Sequence, residues 1–203
     1  PEGRMETIEC QKLILACNGF GGNRTLVSEL MPEIKEALWF GHAGNQGDAI
    51  GWAAGLDARL ENLGAYQGHG NVAYPHGILI TWAVITEGGI QVNSLGKRFW
   101  NEAQGYSEAA RFVLSQPGGQ AYAIFDGRIA AIARQFHDFK RAERSSAIKV
   151  SDTLGGLSKY LGLSTEALTE TVDNIPWGSE DEFGRRFGDV QLSAPFYGVK
   201  VTG

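Results

Sequence analysis

Two short glycine-rich segments have residue types that allow a ligand to approach backbone amides. Residues 16–23 (ACNGFGGN) follow an apolar run, and residues 45–51 (NQGDAIG) place a glycine before an aspartate that can cap a helix. A glycine-rich turn at the end of a strand exposes N–H groups that can bind an anionic part of a ligand. An ordinary turn and a plain helix cap, which contributes about 1 kcal/mol, are the competing interpretations.

Three further segments combine charged, aromatic and glycine residues at close spacing. They are GKRFWNE at 96–102 with Tyr106 after it, EDEFGR at 180–185 and PFYGVKVT at 195–202. In this order, the five segments resemble those of flavoproteins of the fumarate reductase, ketosteroid dehydrogenase and tricarballylate dehydrogenase type. Those proteins read ATGGFGGN, NTGDGI, GKRFVNE, DxxFGR and PFYAVKVTP. The resemblance covers nearly the whole chain, and the five motifs in register are specific as a set.

The resemblance implies a set of FAD contacts in the first two segments. The matching residues are Ala16, Asn18, Gly19, Gly47 and Asp48. Cys17 and Asn18 depart from the family's Thr and Gly, and we expect the Asn18 side chain to crowd the cofactor. The family's GxGxxG motif, which places the FAD pyrophosphate at a helix N-terminus, is missing from this chain. FAD is therefore expected in the intact enzyme and not on this chain alone.

The resemblance also implies residues that bind the substrate. In carboxylate-reducing members, a His after a Gln and a later Thr hold the substrate carboxylate, and His69 (after Gln67) and Thr81 match them. A histidine and a hydroxyl can both donate hydrogen bonds to an oxyanion. Trp82 stands where the reductases have Glu. Tyr197, in the last motif, is a further candidate for substrate contact. A loop histidine, a threonine in an apolar strand and a packed tyrosine are the competing interpretations.

Tyr106 is the candidate for proton transfer. The reductases have Arg followed by Asp at this place, whereas this chain has Tyr106 followed by Ser107, and ketosteroid dehydrogenases often have a Tyr in this region. A tyrosine near a flavin can give or take a proton at a substrate carbon while hydride moves to or from the flavin. Alternatively, Tyr106 only begins a helix and packs.

Hydrophobic spacing and turn residues predict the elements that position these side chains. Predicted strands are 12–16, 121–125 and 194–201, with a hairpin whose arms are 89–93 and 97–101 around Gly96. Three helices are predicted at 25–30, 106–115 and 127–136. Three more are predicted from their capping residues: one capped by Asp48, one capped by Ser151 and closed by Gly162, and one capped by Ser164. Strands mixed with helices indicate an α+β (mixed α/β) fold.

Composition excludes several classes of function. The net charge of −5 comes with scattered Lys and Arg, so a nucleic-acid-binding surface is not expected. The longest apolar run, 77–85, is too short to span a membrane. Cys10 and Cys17 share one predicted strand, and no Cys/His metal pattern occurs. This cysteine usage fits a reducing compartment, and we expect a cytoplasmic protein.

The chain is thus expected to be an internal fragment. Residues 1–63 would be a remnant of the FAD-binding domain, and residues 64–203 the capping domain that covers the substrate. Its partners would be the rest of the FAD-binding domain and a small carboxylate or ketone, for which Arg98, Arg111 and Arg185 are available cations. The intact enzyme would oxidise or reduce a CH–CH bond, and the fragment alone would be inactive. The alternative is a flavin-free binding or assembly module on the same scaffold.

Overall fold

The computed structural model describes Gly3 and residues 5–203, so Pro1, Glu2 and Arg4 lie outside the described part. The chain forms two compact units. Unit 1 contains the described residues up to Pro32 together with Trp39–Gly64, and unit 2 contains Glu33–Leu38 and Ala65–Gly203. The roles assigned to residues 1–63 and 64–203 stay predictions, because compactness does not identify what a unit binds.

An antiparallel sheet of six strands forms the centre of unit 2. The strands are β1 (Val72–Ala73), β2 (Ile78–Leu79), β3 (Ile90–Val92), β4 (Gln120–Asp126), β5 (Ile148–Ser151) and β6 (Phe196–Thr202). Their order is β2-β1-β6-β4-β3, and β5 also pairs with β6. The longest pairing runs from Gln120 opposite Thr202 to Asp126 opposite Phe196. The sheet and its helices confirm the predicted mixture of α and β structure.

Two helices lie in unit 1 and six in unit 2 of the described chain. Those of unit 1 are α1 (Arg24–Leu30) and α2 (Asp48–Ala54). Those of unit 2 are α3 (Ala83–Thr86), α4 (Tyr106–Leu114), α5 (Gly127–Ala133), α6 (His137–Arg144), α7 (Leu154–Leu161) and α8 (Thr165–Asp173).

The helices of unit 2 cover both faces of the sheet. Alternate residues of a strand point to opposite faces, and β4 shows this directly. Ala123 and Phe125 pack into the core that contains residues of α5 and α6. Tyr122 and Ile124 pack into the core that contains residues of α7 and α8. A strand buried on both faces reads as a continuous apolar run, which is why β4 was predictable.

Local sequence signals predicted several elements correctly. The Ser164 side chain accepts a hydrogen bond from the backbone N–H of Ala167 and caps α8, while Leu163 and Leu168 are both buried. Gly162 ends α7 in a left-handed conformation, with φ of 73°. The helix beginning at Tyr106 and the final strand also form. The caps and the helix start depend on contacts within a few residues, so local sequence specifies them, whereas the final strand also requires its pairing with β4.

Three predicted details are wrong. Thr153, not Ser151, caps α7, because Ser151 is the last residue of β5. Gly47, not Asp48, is the N-cap of α2, and it makes no side-chain cap bond. The hairpin turn at Gly96 forms, but residues 97–101 are not a strand, and β3 pairs with β4 instead.

The predicted buried strand at residues 12–16 is also wrong. This segment has no strand assignment, and Leu13 and Ile14 are 69% and 89% exposed. A strand needs a neighbour to pair its backbone groups, and no described strand pairs with this segment. Cys10 and Cys17, on either side of it, are exposed free thiols. In the described part of the chain, no helix has the length and apolar content to cross a membrane.

Candidate active site

The side chains of His69 and Tyr106 lie side by side in unit 2. Their rings stack with centroids 5.1 Å apart and an interplanar angle of 24°. The side-chain amide of Gln67 donates a 2.8 Å hydrogen bond to the Tyr106 hydroxyl oxygen. Because this bond uses a lone pair of that oxygen, the hydroxyl hydrogen points elsewhere. Tyr106 is 39% exposed, so its hydroxyl can meet a ligand.

Backbone contacts hold the Gln67–His69 loop against the start of α4. The Gly70 N–H donates to the Tyr106 carbonyl at 3.1 Å, and the Ser107 hydroxyl donates to the Gly68 carbonyl at 3.4 Å. A Cβ atom at Gly70 would overlap the backbone and Cβ of Ala109. Glycine at position 70 is therefore required for the close approach that brings His69 to Tyr106.

His69 is a neutral hydrogen-bond donor in this environment. Its Nδ1 accepts a 3.2 Å hydrogen bond from the Asn71 backbone N–H, so the neutral ring has its hydrogen on Nε2. Burial lowers the pKa of His69 from 6.5 to about 4. At neutral pH the ring therefore offers a single N–H donor and no positive charge.

A set of buried polar side chains, linked by hydrogen bonds, supports the Gln67–His69 loop. The fully buried Gln91 donates to the Gly70 carbonyl at 2.8 Å and accepts from the Trp100 indole N–H at 3.1 Å. Asn71, also fully buried, donates through its side chain to the Ile80 carbonyl at 3.3 Å. Because a buried polar group without a partner is costly, these bonds hold the loop in one conformation.

Thr81 and Trp82 adjoin this group at the start of α3. The Trp82 ring meets the His69 ring edge-on, with centroids 6.0 Å apart and an angle of 90°. The Thr81 hydroxyl oxygen accepts a 3.3 Å hydrogen bond from the Ala83 N–H. Thr81 thus lies just before Trp82, the N-cap residue of α3, and not in a strand, and its hydroxyl can donate as well as accept a hydrogen bond.

Tyr197 lies in a different set of contacts. It is in β6 opposite Phe125, on which its ring stacks with centroids 5.7 Å apart. Its hydroxyl accepts a 3.3 Å hydrogen bond from Arg134, which also forms an ion pair with Glu143. These contacts give Tyr197 a packing role, and its predicted contact with substrate stays a prediction.

A buried ion network joins the motifs at 96–102 and 180–185. The Glu102 carboxylate accepts from the Gln91 N–H at 2.9 Å and from Arg98 Nε at 3.0 Å. Arg98 also pairs with Asp181, and Arg185 Nη1 lies 3.1 Å from Glu102, close enough for an ion pair but at an angle that makes no hydrogen bond. Because Glu102 is four residues before Tyr106, the network also anchors the start of α4.

The network corrects the expectation that these arginines are available to a substrate. The Arg98 and Arg185 side chains are more than nine-tenths buried. Arg185 Nη2 also donates to the Ile85 and Gly89 carbonyls, at 3.0 and 2.8 Å. Both motifs contain an acid and an arginine four residues apart, a spacing that suggests an ion pair within each motif but not the pairing of Arg98 with Asp181.

Hydrogen bonds within unit 1 bring together the two loops predicted to contact FAD. The Gly22 N–H donates to the Asn45 carbonyl at 2.9 Å. The Asn23 side chain donates to the Gln46 carbonyl at 3.0 Å. Segments that are more than twenty residues apart in the chain therefore form one loop cluster. The predicted contact residues Gly19 and Gly47 lie within three residues of these bonds, and the assignment of Ala16, Asn18, Gly19, Gly47 and Asp48 to the flavin stays a prediction.

The backbone of this cluster suits a ligand that approaches closely. Asn18 has a left-handed φ of 65°, which asparagine tolerates better than most residues, and its side chain accepts from the Gly19 N–H at 2.9 Å. A Cβ at Gly19 would meet no atom within 4 Å, so the space beside it is open. At Gly47, with φ of 88°, a Cβ would overlap Phe20 and Leu26. The open space beside Gly19 leaves room for a ligand at this loop cluster, and flavin contact at these residues stays a prediction.

Comparisons with known proteins agree with these motifs. The sequence profile described as FAD binding domain matches residues 1–203. Fumarate reductase (cytochrome) of Shewanella frigidimarina is 31% identical over 200 residues, which cover 96% of this chain and 34% of that protein. The 3-oxosteroid 1-dehydrogenase of Mycobacterium tuberculosis is 31% identical over 234 residues, covering 94% of this chain and 40% of that protein.

A solved structure is similar as well. The open conformation of a flavocytochrome c3 fumarate reductase superposes with a TM-score of 0.72 at 27% identity, covering 91% of this chain and 33% of that one. The chain spans between about a third and two fifths of the length of these relatives.

Proposed function

We propose that this chain, which belongs to the FAD binding domain family, is the substrate-covering part of an FAD-dependent oxidoreductase that acts on CH–CH bonds. The observation that carries this proposal is the pairing of the Tyr106 hydroxyl with the neutral His69 ring, held by Gln67. A proton donor beside a hydrogen-bond donor is the arrangement needed to polarise a carbonyl group and to move a proton at the neighbouring carbon.

Each residue of the site has a separate proposed role in the reaction. Bound FAD would supply hydride exchange with one substrate carbon. His69 Nε2–H donates to the oxygen of the electron-withdrawing group and stabilises the charge that develops there. Tyr106 gives a proton to the other carbon in reduction, or takes it in oxidation. Gln67 orients the tyrosine hydroxyl, and the Thr81 hydroxyl is a second donor beside the site.

The proposal includes the predicted domain roles. Residues 64–203 form the capping domain, and residues 1–63 are the remnant of the FAD-binding domain, with Ala16, Asn18, Gly19, Gly47 and Asp48 at the flavin. The exposure of Leu13 and Ile14 supports a further partner segment, because an apolar segment with β-type sequence normally packs in a sheet. The rest of the FAD-binding domain is the partner that we propose.

The test is Tyr106→Phe in the flavin-loaded, full-length protein. The substitution keeps the ring that stacks on His69 and removes the hydroxyl. We expect kcat for a CH–CH substrate to fall about 100- to 10,000-fold with flavin content unchanged. Tyr160→Phe, at a tyrosine that is 65% exposed, is the matched control and should be neutral.

Two outcomes would count against the proposal. Unchanged turnover in Tyr106→Phe would remove the proton-transfer role. Failure of the full-length protein to bind flavin would favour the alternative of a flavin-free binding or assembly module.

A further inference from the structure

We propose that the His69–Tyr106 site takes an uncharged carbonyl compound, such as an α,β-unsaturated ketone or ester, and discriminates against dicarboxylates. This inference rests on the oxidoreductase function proposed above and specifies the substrate class of the same site. It follows from where the structure places the cations and the aromatic rings.

The three arginines predicted to be available to a carboxylate are all engaged in other contacts. Recognition of a carboxylate relies on charge-assisted hydrogen bonds, most often from a bidentate arginine. Arg98 and Arg185 are neutralised by Glu102 and Asp181 inside the protein. The third candidate, Arg111, lies over the Phe112 ring at 5.0 Å on the exposed side of α4.

In the described part of the chain, the side chains that bond to or stack on the His69 and Tyr106 rings are aromatic or neutral. Trp82 meets His69 edge-on at 6.0 Å and also contacts Trp100, with centroids 6.3 Å apart. Gln67 supplies an uncharged amide. Aromatic walls with one or two oriented donors favour a flat, apolar ligand with a single carbonyl oxygen to hold.

The state of His69 agrees with this geometry. Its pKa is about 4 because of burial, so at pH 7 only about one molecule in a thousand carries an imidazolium there. A dianion bound at this site would meet a neutral donor and would be desolvated without a countercharge. An uncharged carbonyl oxygen needs only the Nε2–H hydrogen bond.

The experiment compares fumarate with dimethyl fumarate, which share a carbon skeleton and differ in charge. The flavin-loaded, full-length protein is reduced chemically, and reoxidation of the flavin by each compound is followed anaerobically at pH 7. We expect kcat/KM to be at least about 100-fold higher for the diester. Calorimetric titration with dimethyl succinate and succinate provides a binding measurement that needs no turnover, and only the diester should bind.

Trp82→Arg tests the structural reason directly. A cation in place of the indole should shift the kcat/KM ratio toward fumarate by about tenfold or more. Tyr160→Arg, on the exposed face of α7, is the matched control and should leave the ratio unchanged.

The outcomes separate the two proposals. If fumarate is reduced as well as the diester or better, the inference on substrate class fails while the oxidoreductase function stands. If neither compound reoxidises the bound flavin, the proposed function fails and this inference fails with it. A ratio unchanged by Trp82→Arg, in a variant that keeps its flavin and its circular dichroism, would also overturn the inference.

Discussion

The partly buried, neutral His69 should make the protein acid-sensitive in a measurable way. Its pKa is about 4 in the folded protein, against 6.5 for an unperturbed histidine. Between these two values the unfolded state binds a proton that the folded state does not, so the free energy of unfolding falls as pH falls. At about pH 7.5 and above, both states are almost entirely neutral and His69 contributes little to the pH dependence.

The size of the effect follows from the two values. A difference of roughly 2.5 at 1.36 kcal/mol for each pH unit is about 3 kcal/mol in the acid limit. Between about pH 7.5 and pH 5, His69 lowers the free energy of unfolding by about 2 kcal/mol. Substitution by glutamine removes the titration and keeps a side-chain donor, so His69→Gln should lose this portion of the acid sensitivity.

The assay is urea unfolding of the wild-type protein and of His69→Gln at these two pH values. The fall in the free energy of unfolding from pH 7.5 to pH 5 should be about 2 kcal/mol smaller in the variant. His76→Gln is the matched control, because His76 is exposed in the turn between β1 and β2, and it should retain the wild-type slope. Equal pH slopes for the wild type and His69→Gln would refute the reasoning that burial keeps this ring neutral.

Three other substitutions test the packing of unit 2. Glu102→Gln should destabilise the protein by about 3–5 kcal/mol, because Asp181 then balances only one of the two buried charges on Arg98 and Arg185; Glu87→Gln, at an exposed glutamate, should change the unfolding midpoint little. Gly70→Ala should cost about 3 kcal/mol in thermal or urea unfolding, since the new methyl group overlaps Ala109. Gly188→Ala, where a Cβ meets no atom within 4 Å, should be neutral, and a similar loss in both glycine variants would contradict the steric argument. Leu168→Ala, at a fully buried position in α8, should cost about 2–5 kcal/mol through the cavity that it leaves, and a loss below about 1 kcal/mol would show that the core closes around the gap.

Sequence alone determined the elements whose signals are local. The cap at Ser164, the left-handed glycine at position 162 and the helix beginning at Tyr106 depend on neighbouring residues, and all form. The apolar run of β4 also predicted a buried strand, which forms because β3 and β6 pair with it. The five motifs and their order were also sufficient to identify the family, because residue identity is a property of the chain and not of its fold.

Only the tertiary structure decided what the charged and exposed residues do. The ion pair between Arg98 and Asp181 joins positions 83 apart, and local spacing does not reveal whether a charge will face solvent or a buried partner. The apolar segment at 12–16 has the composition of a strand, yet a strand forms only where another strand supplies hydrogen-bond partners. The neutral state of His69 likewise follows from burial and from the Asn71 N–H. These properties arise from contacts between distant parts of the chain, which no local pattern encodes.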